Sequence, residues 1–289
     1  MKISDIRIRD PYILLDGDKY YMYGTTRMPE DGYDVGTFGF DVYVSSDLSE
    51  FEGPYPVFEQ GKEFFGISDY WAPEVYKIGE EYFMSASFKG NEGLHGVGIL
   101  SSKSPLGPFT PHSEMPITPK NWAAIDGTLY FEDGKPYMIF VHEWSQIGDG
   151  TMCYAELSED LKRFAGDPVF MLRASENPFG RASRRRDGSQ GYITDGPCMH
   201  KCENGDLLML WSMRGERGYI ECIYHSDNGR LSGSFKPKSL LFGEDGGHGM
   251  LFCDKENKLK FVLHTPNTRG EERAKIYDIA DIGGDLILK

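Results

Sequence analysis

Five residues able to carry a charge or a proton recur at a like place along this chain: Asp10, Glu74, Asp126, Asp195 and His248. Each opens a segment of alternating apolar residues: Asp10-PYILLDGDKYYMYG, Glu74-VYKIGEEYFMSAS, Asp126-GTLYFEDGKPYMIF, Asp195-GPCMHKCENGDLLMLW and His248-GMLFCDKENKLKFVLH. If folding gathers them, several carboxylates share one small volume. Buried acids repel one another and their pKa values separate, so one stays ionised while another keeps its proton. That is the apparatus of glycoside hydrolysis, and a gap of about 6.5–9.5 Å between the two leaves room for water and gives inversion. Spacing says where the acids meet and does not assign their roles. Cysteine offers little rival chemistry. Cys153, Cys198, Cys202, Cys222 and Cys253 are scattered, and Cys198-x-x-x-Cys202 has no second pair to complete a zinc spacing.

The elements that must position these residues can be read from the repeats. Each segment is a strand, a tight turn and an aromatic-rich second strand. The turns, at Asp16-Gly17, Gly79-Glu80, Asp133-Gly134, Asn204-Gly205 and Glu256-Asn257, carry residues suited to two-residue hairpin loops. Between them lies a weaker repeat in which a short apolar strand leads to Ser46…Phe51, Ser104…Phe109, Ser158…Phe164 and Ser226…Phe235. The closing AKIYDI starts a fifth copy, and helical period is almost absent. Two hairpins per unit, five times over, predict an all-β, five-bladed β-propeller with four antiparallel strands per blade, occupying residues 1–289 as a single domain. The first strand of each blade then lines the axis, and the five opening residues meet at one end of it.

Composition narrows the partner. Acidic residues outnumber basic ones 45 to 31, for a net charge of −14, which argues against nucleic acid or an anionic membrane as partner. The opening MKISDIRIRDPYILL lacks the apolar core and small-residue cleavage site of a signal peptide. With free thiols, this predicts a cytoplasmic protein. Oligomeric state is not readable.

The motifs Arg9-Asp10-Pro11, Trp71-Ala72-Pro73-Glu74, Ile125-Asp126-Gly127, Asp195-Gly196-Pro197 and Gly247-His248-Gly249, in that order and one per blade, resemble glycoside hydrolase family 43. The resemblance runs from Asp10 to about Arg273. It implies an inverting, mostly exo-acting enzyme on short oligosaccharides, with Asp10 as general base, Asp126 as the carboxylate that tunes the acid, and Asp195 as general acid. The family usually has Glu-Gly-Pro in the fourth blade, and this chain has the shorter aspartate. Glu143 and Glu216 are the candidate substitutes. The resemblance also implies that His248 lies at the propeller centre, where a structural calcium is reached through waters and no cofactor is required, and that Arg273 contacts sugar and acid. Trp71 and Glu74 are expected to bind substrate, Trp71 as a stacking platform for a sugar face, and Phe38, Trp122 and Trp144 are similar stacking candidates.

Two long loops, residues 24–40 and 173–190, interrupt the strand rhythm and should shape the pocket. The second carries Arg181, Arg184, Arg185 and Arg186, read either as a site for an anionic sugar or, more simply, as a solvated loop. The sequence shows no added β-sandwich of the two-domain β-xylosidase kind, which favours an α-L-arabinofuranosidase-like enzyme. A β-xylosidase or a galactan- or galactofuranoside-directed hydrolase is the alternative, as is a non-catalytic sugar-binding propeller. A retaining fructan-type hydrolase and a phosphorylase are the remaining rivals.

Overall fold

The computed structural model describes residues 1–29, 38–59, 61, 64–185 and 187–289. Residues 30–37 of the predicted 24–40 loop, and Arg186, therefore lie outside the described residues. Five four-stranded antiparallel sheets follow one another along the chain as the blades of a propeller. Blade 1 holds β1 (Arg9–Asp16), β2 (Lys19–Thr25), β3 (Phe40–Ser45) and β4 (Phe51–Phe58). Blade 2 holds β5 (Gly66–Ile78), β6 (Glu81–Gly90), β7 (His95–Ser102) and β8 (Thr110–Pro111). Blade 3 holds β9 (Ala124–Glu132), β10 (Lys135–His142), β11 (Thr151–Glu156) and β12 (Val169–Arg173). A two-stranded ribbon follows, β13 (Ser183–Arg184) with β14 (Gln190–Gly191). Blade 4 holds β15 (Asp195–Lys201), β16 (Leu207–Gly215), β17 (Gly218–Ser226) and β18 (Phe235–Phe242). Blade 5 holds β19 (Gly247–Cys253), β20 (Leu259–Thr265), β21 (Arg273–Ile282) and β22 (Asp285–Leu288). The fifth unit, of which AKIYDI marks only the third strand, is thus complete.

Side chains alternate in direction along a strand, so each sheet buries apolar residues on both neighbours. The core accordingly lies between blades. Tyr23, Phe40, Phe58, Tyr70 and Phe88 fill the seam of blades 1 and 2, and Val97, Ile99, Met138 and Phe140 that of blades 2 and 3. Trp211, fully buried, centres the next seam. A large cluster joins blades 4, 5 and 1 and takes in Ile6 and Ile8 of the leading segment. Among the described residues, no blade borrows a strand from the other end of the chain. The ring closes instead through this cluster and through the leading segment, where the Ile8 amide donates to the Glu272 carbonyl. Among the described residues, no helix is long and apolar enough to cross a membrane.

One local feature repeats in all five blades and positions the site. The innermost strand carries a register shift near its start, between Arg9 and Tyr12, Trp71 and Glu74, Ile125 and Thr128, Asp195 and Cys198, and Gly247 and Met250. At each bulge one residue has positive φ: Asp10 (51°), Ala72 (47°), Asp126 (56°), Gly196 (55°) and His248 (52°). Such a residue bends the strand and re-aims its side chain.

Candidate active site

The five left-handed residues correct the expected register. The equivalent of Asp10 is Ala72 in blade 2 and Gly196 in blade 4. Glu74 lies two positions beyond this ring of residues and Asp195 one before it. The position one before also holds Arg9 and Trp71, so these stand beside Asp195 at the mouth of the axis.

Each bulge has an N–H to satisfy, and all five are satisfied by a side chain of the preceding blade, four of them from its second strand. Ala72 donates to Thr25 Oγ1 at 2.9 Å, Asp126 to Ser87 Oγ at 2.8 Å and His248 to Ser212 Oγ at 2.6 Å. Asp10 donates to His264 Nδ1 at 3.2 Å, across the seam where the two ends of the chain meet. His264 is therefore neutral with its proton on Nε2, 3.0 Å from Asn267 Oδ1. Its pKa is pushed down to about 3 by burial and then by Arg9. Blade 3 has Val141 on the strand that carries the hydroxyl in its neighbours, and the Gly196 amide donates instead to Asp126 Oδ2 at 2.9 Å. Asp126 is thus fixed by the same ring of bonds that holds the blades together.

Asp10, Asp126 and His248 are 8%, 4% and 4% exposed. His248 Nδ1 lies 3.2 Å from Asp10 Oδ1 and 3.9 Å from Asp126 Oδ2. Thr25 Oγ1 donates to Asp10 Oδ2 at 2.7 Å. Burial alone would raise the pKa of Asp10, but His248, Arg9, His264 and Thr25 together outweigh it and hold the carboxyl below its ordinary value. Burial raises Asp126 instead, and the charge of Asp10 adds to the effect. Asp195 is pushed up to about 8, by burial first and by Asp126 second. Tyr219 donates to its Oδ2 at 2.9 Å. One site therefore holds a carboxyl kept below its ordinary value, Asp10, and a half-buried one raised above it, Asp195, with Asp126 between them in the chain.

The other expected residues fare differently. Glu74 does not face a sugar: it is 2% exposed, and its oxygens are taken by Tyr76 and by Thr128 Oγ1 at 2.8 Å. Thr128 has one hydroxyl proton, and the Pro197 carbonyl 2.5 Å away can only accept it. Glu74 must then supply the proton in its own bond to Thr128, in line with a pKa pushed up to about 8 by burial. It is a neutral strut inside the axis. Arg273 does not meet the acid either. Its guanidinium donates to the carbonyls of Ser4, Gly270 and Glu272, and the arginine whose charge reaches Asp10 and Asp126 is Arg9.

Trp71 is half-buried and stacks on His95, with ring centroids 4.4 Å apart. Trp144 heads a one-turn helix (Trp144–Ile147) and packs on Gly191 of the β13–β14 ribbon. Phe38 is exposed, with its ring 6.1 Å from that of Tyr70, and Trp122 stacks on His142. Glu216 is exposed beside Arg181, whereas Glu143 is buried and its charge acts on both Asp126 and Asp195. In the arginine loop, Arg185 donates to the Ser145 carbonyl at 2.6 Å and Arg181 pairs with Glu216, so these two are engaged elsewhere than on the three aspartates. Sequence reasoning missed Thr25, Tyr219 and His264. Thr25 and His264 occupy like places at the ends of second strands, beside Ser87 and Ser212, and that hydroxyl repeat was a usable signal. Tyr219 had none.

Calcium takes six to eight oxygen ligands. Around His248 the described residues offer one buried oxygen without a partner, Glu221 Oε1, on a carboxyl that burial pushes up to about 8. That set does not fit a directly ligated calcium, and no step below uses a metal.

The family model for glycosyl hydrolases family 43 matches residues 3–275. The chain belongs to this family. An endo-arabinase structure from Bacteroides thetaiotaomicron VPI-5482 is 34% identical, with a TM-score of 0.89 and 98% of each chain covered. A thermostable family-43 glycoside hydrolase is 25% identical, with a TM-score of 0.80, over 98% of this chain and 92% of that one. A xylosidase/arabinosidase from Humicola insolens is 34% identical over 177 residues, 57% of this chain and half the length of the relative. Among more distant structures, a β-xylosidase/α-arabinofuranosidase from a compost metagenome, in complex with xylotriose and in calcium-free form, shares the fold at 17% identity and a TM-score of 0.76, over 99% of this chain and 96% of that one. This family-43 chain is a glycoside hydrolase of the O-glycosidase type.

Proposed function

We propose that this family-43 enzyme is an inverting hydrolase of α-L-arabinofuranosyl bonds, acting from the chain end on short oligosaccharides. The observation that carries the mechanism is the split within one pocket: Asp10 is held ionised while Asp195 is held protonated. Asp10, fixed by Thr25 and facing His248, takes a proton from water as that water attacks the anomeric carbon. With Tyr219 donating to Oδ2, the proton of Asp195 sits on Oδ1 and passes to the departing oxygen. The charge of Asp126 raises the pKa of Asp195 and so helps the acid to keep its proton. Aspartate reaches about 1.5 Å less far than glutamate, one bond length. The bulge at Gly196, whose positive φ re-aims the preceding residue, is the local means of compensation.

Arabinose specificity is supported by the two relatives at 34% identity, whose names both include arabinan or arabinoside cleavage. Exo action is supported by the low exposure of Asp10 and Asp126, which suits a pocket better than a cleft. The first of those relatives also favours a second reading, an endo-acting arabinanase. A cytoplasmic location belongs to the same proposal, supported by five free cysteines, four of them buried. The test is an aryl glycoside screen with time-resolved products from linear arabinan. Arabinose as the first product is expected. Early release of oligosaccharides identifies the endo reading, and preference for aryl xylosides or galactofuranosides refutes the assignment of the sugar.

A further inference from the structure

Glu143 has no part in the proton transfers above, yet it is a fourth acid of the same pocket. It follows β10 and sits at the N-cap of the short helix Trp144–Ile147, with 8% exposure. Its amide donates to the Ala123 carbonyl at 2.8 Å, three residues before Asp126, and its charge is among those that raise Asp126 and Asp195. Its Oε2 is buried and has no aligned hydrogen-bond donor; the nearest cation is His95, whose Nδ1 is 3.3 Å away.

His95 is held from three sides. Its Nε2 lies 3.3 Å from Asp69 Oδ2, and Asp69 in turn lies 3.2 Å from Lys89 Nζ. The imidazole rests on Trp71 at an interplanar angle of 27°. A line of charges thus runs from Lys89 through Asp69 and His95 of blade 2 to Glu143 on the wall of blade 3. Burial lowers the pKa of His95, and Asp69 and Glu143 more than offset it, raising the pKa. A buried carboxylate oxygen without a donor is costly to leave so, and sugar hydroxyls are donors.

We propose that Glu143 binds the substrate, its carboxylate accepting a hydrogen bond from one ring hydroxyl of the terminal sugar. His95 is the positioning residue that holds it, and the pair selects among sugar rings. This rests on the reading that the pocket takes a glycoside. A site built to bond a hydroxyl discriminates strongly against a ring that lacks it.

The test uses Glu143→Gln and His95→Gln, assayed on the best aryl glycoside and on each of its monodeoxy analogues, with thermal unfolding recorded. Glu143→Gln is expected to lose about 10- to 100-fold in kcat/KM on the parent glycoside. On the one analogue lacking the partner hydroxyl it should match wild type within about twofold. His95→Gln should show the same selectivity in milder form, mostly through KM, and carries the comparison if Glu143→Gln fails to fold. An equal loss on every analogue means a strut between blades and overturns the proposal. If wild type turns over no glycoside, the hydrolase reading fails separately. Calorimetry with L-arabinose, D-xylose and D-galactose then decides: weaker binding by Glu143→Gln supports the proposal, and equal or absent binding overturns it.

Discussion

At the residue scale the chemistry depends on three aspartates whose surroundings, not whose types, set their roles. Asp10→Asn removes the base, and a loss of about 10²- to 10⁴-fold in kcat is expected. Asp195→Asn should be as severe on a substrate with a poor leaving group and far milder on one with a nitrophenolate, because only the first needs a proton; equal losses on both would remove Asp195 from the acid's role. Tyr219→Phe deletes a bond that lowers the pKa of Asp195, so the basic limb of the pH–rate profile, expected near 8 in wild type, should move to higher pH. A shift the other way would show that Tyr219 stabilises the protonated acid.

At the scale of the element, the site depends on a bulge repeated five times and on the bonds that pin it. Ser212→Ala leaves the His248 amide without its acceptor, and a loss of about 1–3 kcal/mol in stability is expected from denaturant unfolding. Gly196→Ala adds a Cβ 2.8 Å from the His248 ring at a φ of +55°, so it should cost both stability and turnover. The bulges also explain what was legible in the sequence. Hairpin turns such as Asp133-Gly134 and the aromatic second strands exposed the blade plan, because turn chemistry and alternation are local. Register at the bulge was not exposed. Alignment on the acids put Glu74 and Asp195 in line with Asp10, whereas alignment on Pro11, Pro73, Gly127, Pro197 and Gly249 gives the observed ring. Arg273 was misplaced because its partners, Ser4 and Glu272, are set by how the ends of the chain meet, which no local pattern encodes.

At the scale of the whole molecule, burial raises the pKa of acids on an innermost strand and between blades. Glu74 and Glu221 are both pushed up to about 8 by burial. For a raised carboxylate, the proton-linked stability is full below the unfolded value near 4.5 and is lost as pH climbs to the folded value. Wild-type Tm should therefore fall between about pH 4.5 and 8, and Glu74→Gln, which keeps a donor for Thr128, should flatten that slope. Parallel curves would mean that Glu74 is ionised in the folded protein. The net charge of −14 is thus larger on paper than in the folded molecule near neutral pH.

The central claim is that Asp10 and Asp195 act from opposite sides of the bond, with water as the nucleophile. Proton NMR of the sugar first released from an aryl α-L-arabinofuranoside tests it most directly. The account requires the β-anomer to appear first and to mutarotate afterwards; initial release of the α-anomer would mean a covalent intermediate and would contradict it.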